Sequence, residues 1–93
     1  MILASYIRPF DAKQKIYVLD HKKNTEEIRL ADLDTYSDTI MQLITEYNIN
    51  KIELHGNEGI CDKIKKDILT AEFAKYNNNQ LNIEIKGAEL WNI

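Results

Sequence analysis

The spacing of the hydrophobic residues changes along this chain, and these changes restrict the fold more than any other feature. Residues 2–7 and 16–19 are short apolar runs, and residues 26–30 alternate apolar with charged side chains, which is typical of strands. From Leu33 to Tyr47 the apolar residues recur every three or four positions, as on one face of an amphipathic helix. The sequence therefore predicts a three-stranded antiparallel meander followed by a helix.

The same two periods recur in the second half of the chain. Residues 51–55 and 81–85 alternate apolar with polar side chains and predict two more strands. Between them, residues 60–76 have an apolar stripe at helical spacing, and the three asparagines at 77–79 predict the turn that ends this helix. We therefore expect one domain, residues 1–93, with the order β-β-β-α-β-α-β, and a tail whose Trp91 packs onto it.

The handedness of crossover connections predicts the strand order. Connections between parallel strands are right-handed in nearly all proteins. If the strand after the first helix pairs beside the first strand, the order is 3-2-1-4-5 and both helices cover the same face. The prediction is an α/β (α+β) two-layer sandwich with a mixed five-stranded sheet and one uncovered face. Polar residues at alternate positions of the last two strands, Glu53, His55 and Glu84, agree with a solvated face.

This strand order is similar to that of the ribonuclease H-like core. The resemblance spans residues 2–86 and is one of topology, without a shared motif. Enzymes of that fold hold two metal ions with carboxylates, one of them on the first strand, whereas residues 2–7 contain no acid. The resemblance therefore implies a non-catalytic relative, and it leaves open a nucleic-acid-associated protein with a degenerate form of this fold.

Composition excludes several classes of protein. A single cysteine, Cys61, forms no internal disulfide and no CxxC motif, and His21 and His55 have no metal-ligand spacing. No apolar run approaches the roughly 18 residues that span a bilayer, and the N-terminus lacks the pattern of a secretory signal. We therefore expect a cytoplasmic protein that uses no metal and no cofactor. The abundance of isoleucine, asparagine and lysine, which have AT-rich codons, indicates a low-GC bacterium or a phage or plasmid that it carries.

Charge is distributed unevenly along the chain. The net charge is −3, but residues 1–23 carry +3 and residues 24–58 carry −6. The total disfavours binding to a nucleic-acid backbone, whereas the acidic block, which includes the first helix, is suited to a docking surface. The plainer interpretation is the solvated side of an amphipathic helix. The residues predicted for an interaction surface are Asp32, Asp34, Asp38, Glu53, Glu84 and Lys86.

The loop between the fourth strand and the second helix is the best candidate for a ligand site. Ligands of open α/β sheets bind at the carboxyl ends of strands, and two glycines would let the backbone approach an anion. The spacing matches no phosphate-binding fingerprint, so a simple turn with an acidic residue at the helix start is the plainer interpretation. The cysteine and histidine near this loop could also form a nucleophile–base pair, but no third residue that would orient the base is identifiable in the sequence. The candidate residues are His55, Gly56, Asn57, Glu58, Gly59 and Cys61.

These patterns favour a small non-enzymatic interaction module. We expect it to bind a protein partner, or itself as a homodimer, through the uncovered sheet face and the acidic first helix. The alternative is an enzyme or a nucleotide- or anion-binding domain that uses the loop at residues 55–61. Nothing in the sequence predicts membrane association, and nucleic acid is a less favoured partner.

Overall fold

The computed structural model describes residues 1–71 and 81–87. The strands are β1 (Ile2–Ile7), β2 (Gln14–Leu19), β3 (Thr25–Ala31), β4 (Lys51–Gly56) and β5 (Asn82–Ile85), and the helices are α1 (Tyr36–Glu46) and α2 (Glu58–Thr70). The predicted element order is confirmed. The predicted end of the second helix at residue 76, the turn at 77–79 and the packing of Trp91 lie outside the described residues. Neither helix is long and apolar enough to cross a membrane, within the described part of the chain.

The strands form one mixed sheet in the order β3-β2-β1-β4-β5, as predicted. The meander pairs are antiparallel, whereas β4 is parallel to both β1 and β5. The carboxyl ends of β1 and β4 therefore lie side by side. This places the β1–β2 loop next to the loop that leads from β4 into α2.

Alternation along the strands divides the side chains between two faces. The helix-covered face packs against both helices in one apolar core, which confirms the two-layer arrangement. Its strand residues in that core include Leu3, Ile16, Val18, Ile52, Leu54 and Ile83. The opposite side of the sheet, called the second face below, consists of Ile2, Ala4, Tyr6, Lys15, Tyr17, Leu19, Ile28, Leu30, Lys51, Glu53, His55, Asn82 and Glu84.

The second face is not open to solvent at its centre, so the expectation of an uncovered face is wrong there. Ala4, Leu19, Glu53 and His55 are 1%, 0%, 6% and 3% exposed. Ala4 lies opposite Tyr17 on one side and Glu53 on the other, both of which have larger side chains. Exposed apolar surface occurs instead at the edge of the sheet, on β3.

Two local predictions are corrected by side-chain hydrogen bonds. β2 begins at Gln14, two residues before the apolar run predicted at residues 16–19, because the buried Gln14 amide accepts from the Arg8 N–H and donates to the carbonyls of Arg8 and Asp11. α1 begins at Tyr36, three residues after the predicted Leu33, and the Thr35 side chain makes no cap hydrogen bond. Asp32 instead accepts from the backbone N–H and the hydroxyl of Thr35, at 2.9 and 2.8 Å, and so holds the turn that leads into α1.

Candidate functional site

The loop after β4 is a tight turn and a helix cap. Gly56 has φ +100°, and a Cβ there would lie 2.3 Å from the Ile7 carbonyl oxygen, so only glycine fits. The Asn57 side chain accepts from the Ile60 N–H at 3.0 Å, which caps α2. Glu58 lies in the first turn, where its charge is favourable, and Gly59 is helical. These four residues serve the local structure, in agreement with the plainer interpretation.

The structure does not bring the side chains of Cys61 and His55 together. Cys61 is a residue of α2 whose side chain lies in the core, where its thiol donates to the His55 carbonyl oxygen at 3.6 Å. Burial raises the pKa of this thiol to about 11, so it is protonated at neutral pH and a poor nucleophile. The His55 imidazole lies on the second face, on the other side of the sheet. The hypothetical nucleophile–base pair is therefore not formed.

A charged cluster occupies the β4–β5 half of the second face. The buried Glu53 carboxylate lies 3.9 Å from the Lys23 ammonium, 4.0 Å from the Lys51 ammonium and 3.7 Å from His55 Nε2. Desolvation by burial lowers the pKa of His55, and the nearby Glu53 charge opposes this effect. The cluster therefore combines a buried carboxylate, two ammonium groups and an imidazole that favours its neutral form.

Three residues of the predicted interaction surface, Glu53, Glu84 and Lys86, are brought together here. Glu84 lies beside Glu53 in the β4–β5 register, and its carboxylate is 2.9 Å from the Lys86 ammonium and 3.6 Å from the Lys51 ammonium. The hydrogen bond from Lys86 lowers the pKa of Glu84. Within the described residues, no group of three or more potential ligands is placed to hold a metal ion.

The three aspartates predicted for the same surface have different surroundings. Asp32 holds the turn before α1 and lies 3.7 Å from the Lys13 ammonium, and the Thr35 hydroxyl lowers the pKa of its carboxyl group. Asp34 and Asp38 are exposed and line a groove of about 400 Å³ between the two helices. Other side chains along this groove include Leu33, Met41, Lys63 and Asp67.

Strand β3 is a feature whose orientation the sequence did not settle. Arg29 points to the helix-covered side, where its guanidinium donates to Glu27 at 2.6 Å and to both carboxylate oxygens of Glu46 on α1, at 3.1 and 2.8 Å. The alternating apolar residues Ile28 and Leu30 consequently lie on the second face, 49% and 56% exposed. The alternation was visible in sequence, but the side that faces the helices was not.

A cavity beside the β1–β2 loop was not predicted. It has a volume of about 310 Å³ and lies where the second face meets the loop. A mixture of aromatic and cationic residues between positions 6 and 17 is the sequence signal that marks it. Besides the buried Gln14, its lining residues are Tyr6, Arg8, Asp11, Lys13, Lys15 and Tyr17.

Comparisons with known proteins add no functional assignment. No family model matches the chain, and neither the curated proteins nor the solved structures gave a match. The geometry of the described residues is therefore the basis for assigning a function to this chain.

Proposed function

We propose that this chain is a non-enzymatic interaction module that binds a second copy of itself through the outer edge of β3. The observation that supports this most directly is the exposure of Ile28 and Leu30 on an edge strand. Their side chains belong to the second face, and Arg29 between them contacts Glu46 of α1. The proposed surface therefore lies at the edge of the second face, next to a strand residue that contacts α1.

The backbone of β3 is suited to pairing with another strand. It is seven residues long, and among the described strands it pairs only with β2. Edge strands expose a row of N–H and C=O groups, and proteins that avoid association block them with lysine, proline or a very short strand. β3 has no lysine and no proline. An added strand would extend the sheet and cover the exposed apolar side chains.

The charges on β3 select an antiparallel copy of the same strand. Pairing about a two-fold axis at Ile28 places Glu27 opposite Arg29 of the partner subunit, and the reverse pair forms by symmetry. Arg29 uses three of its five N–H groups on Glu27 and Glu46, so two remain for a carboxylate of the second copy. The isoleucines would meet at the axis. This charge complementarity favours self-association over pairing with an unrelated strand.

Sedimentation equilibrium of the full chain tests the proposal. We expect the wild-type chain to be dimeric at about 50 µM, which requires a Kd in the micromolar range. Ile28→Lys places two ammonium groups at the axis and should give a monomer. Leu69→Lys is the matched control, because Leu69 is an exposed apolar residue on α2 and its substitution should leave the dimer intact.

Mixing two variants tests the register. Position 28 faces itself across the axis, so a chain with Ile28→Lys and a chain with Ile28→Glu should each be monomeric and should form a heterodimer when mixed. A monomeric wild-type chain would overturn the proposal. Absence of rescue in the mixture would overturn the two-fold register at Ile28.

The enzyme or anion-binding alternative has weaker support. Its loop at residues 55–61 is occupied by a turn and a helix cap, Cys61 is in the core, and the His55 side chain lies on the other side of the sheet. A cytoplasmic location and a phage or plasmid origin stay predictions from composition.

A further inference from the structure

We infer that the cavity beside the β1–β2 loop binds single-stranded nucleic acid, with Arg8, Lys13 and Lys15 on the phosphates and Phe10 against a base. This inference rests on other side chains than the proposed dimer does, although Lys15 and Tyr17 of the cavity are the register partners of Leu30 and Ile28 on β3. The site lies at the carboxyl end of β1, whereas the proposed dimer axis is on β3 at the sheet edge.

The loop that forms this cavity is held in place by a buried side chain. Gln14 is 1% exposed, and its amide makes three hydrogen bonds to the loop backbone, between 2.7 and 3.1 Å long. A further hydrogen bond joins the Asp11 N–H to the Arg8 carbonyl at 3.1 Å. The residues around the cavity are therefore positioned before any ligand binds, which lowers the entropic cost of binding.

The cavity has a local excess of positive charge, although the whole chain is acidic. Its lining includes three cationic residues and one carboxylate, that of Asp11. The Arg8 guanidinium lies 4.9 Å from the centre of the Tyr6 ring, so its planar group is kept beside the cavity. Lys13 lies 3.7 Å from Asp32, but this pair is solvent-exposed and is readily exchanged for a phosphate. A short anionic strand therefore meets favourable charge here without crossing the acidic helix α1.

Phe10 supplies a flat apolar surface in the same loop, two residues after Arg8 in the chain. It is 99% exposed, the most exposed large apolar side chain described. A fully solvated phenylalanine at a loop tip contributes nothing to the core, and its ring is available to stack on a base. Cations that follow a phosphate backbone and an aromatic side chain that stacks on bases are the two parts of single-strand binding sites. An acidic peptide would use the cations but would supply no base to stack on Phe10.

Fluorescence anisotropy with a labelled oligodeoxythymidylate of about twelve nucleotides tests the site, since such lengths fit one small binding domain. The full chain is titrated between about 50 and 200 mM salt, where phosphate contacts are sensitive to salt. Lys13→Gln combined with Lys15→Gln should reduce the slope of log K against log salt by about 1.4, because each lost phosphate contact contributes about 0.7. Lys63→Gln combined with Lys66→Gln on α2 is the charge-matched control and should leave the slope unchanged.

Phe10→Ala separates stacking from charge. We expect it to weaken binding by about tenfold and to leave the salt slope unchanged, because a base contact is lost and no phosphate contact is. Leu69→Ala is the control for loss of an exposed apolar side chain. Circular dichroism verifies that each variant is folded.

The inference would be overturned by no binding at the lowest salt concentration, by a slope that the paired lysine variant does not reduce, or by unchanged affinity after Phe10→Ala. Polyglutamate of the same length is the competitor that distinguishes an acidic peptide. If it displaces the oligonucleotide as well as unlabelled oligonucleotide does, the site recognises negative charge alone and the nucleic-acid assignment is wrong. We expect neither polyglutamate nor vesicles of anionic phospholipid to displace the labelled oligonucleotide.

Discussion

The two sides of strand β4 are equally buried but differ in chemistry. Ile52 and Leu54 point toward the helices, whereas Glu53 and His55 lie on the second face. All four side chains are less than 9% exposed. On the helix-covered side, apolar stripes of α1 and α2 supply the cover. On the other side, the buried carboxylate lies near Lys23 and Lys51, because a buried charge needs partners to offset its desolvation. Alternation of apolar and polar residues in a strand therefore shows which residues share a side of the sheet, but it does not show that the polar side is exposed to water.

The largest effect should come from the residue that ends β4. Gly56 has φ +100°, and Gly56→Ala would place a Cβ 2.3 Å from the Ile7 carbonyl oxygen. The end of β4 would therefore have to move away from β1, which disturbs the packing on both faces of the sheet. We expect a loss of more than about 3 kcal/mol of unfolding free energy, measured by urea denaturation. Gly59→Ala is the matched control. Gly59 is helical and its added Cβ meets only the Asn57 side chain at 3.5 Å, so stability should be unchanged or higher. Equal losses in the two variants would contradict this explanation.

The next largest effect compares leucines on the two faces. Leu54→Ala removes a fully buried side chain from the helix-covered core and should cost about 2–5 kcal/mol. Leu30→Ala removes an exposed side chain from the second face and should cost about 0.5 kcal/mol. Both are measured by urea denaturation at low protein concentration, so that self-association does not contribute. A large loss for Leu30→Ala in this monomeric range would show that the edge of the second face is covered within one chain.

The pH dependence of stability tests the polar side of β4. Burial lowers the pKa of His55 in the folded chain, so between that value and the unfolded value of about 6.5 the unfolded chain binds more protons. The stability that neutral His55 contributes is therefore present above about pH 6.5 and is lost as the pH falls toward the folded pKa. His55→Gln should flatten the decline of unfolding free energy between pH 7 and pH 5, whereas His21→Gln, at an exposed turn, should retain it. An unchanged decline in the His55 variant would argue against this burial effect.

The smallest effect is expected for a polar atom on the helix-covered side. The Tyr36 hydroxyl is buried and makes no hydrogen bond of good geometry with the described residues, although the Ser5 side chain lies close to it, and burial raises its pKa. Removing this hydroxyl leaves no other buried group without its hydrogen-bond partner, and it removes the free-energy cost of burying the hydroxyl itself. Tyr36→Phe should therefore leave the stability unchanged or raise it by up to about 1 kcal/mol. Thermal unfolding measures this change. A clear loss of stability would mean that the hydroxyl has a partner in the folded chain.

Sequence reasoning located the elements better than the site. The strand order followed from hydrophobic periods and crossover handedness, which are local or general rules. The boundaries of β2 and α1 were missed because Gln14 and Asp32 act through hydrogen bonds to the backbone of neighbouring turns. Of the candidate residues, Glu53, Glu84 and Lys86 are brought together, whereas Cys61 and His55 are separated by the sheet.

The sequence by itself determined that this chain alternates strands and helices in an order compatible with one mixed sheet, because side-chain periodicity reports secondary structure directly. Only the tertiary structure decided which set of β3 side chains faces α1, since the choice depends on Arg29 reaching Glu46, 17 residues away. It also decided that Glu53 is buried and that the ammonium group of Lys23, from the β2–β3 turn, lies 3.9 Å from its carboxylate. Alternation defines two sets of residues, and contacts between distant segments determine which set is covered and what chemistry remains on the surface.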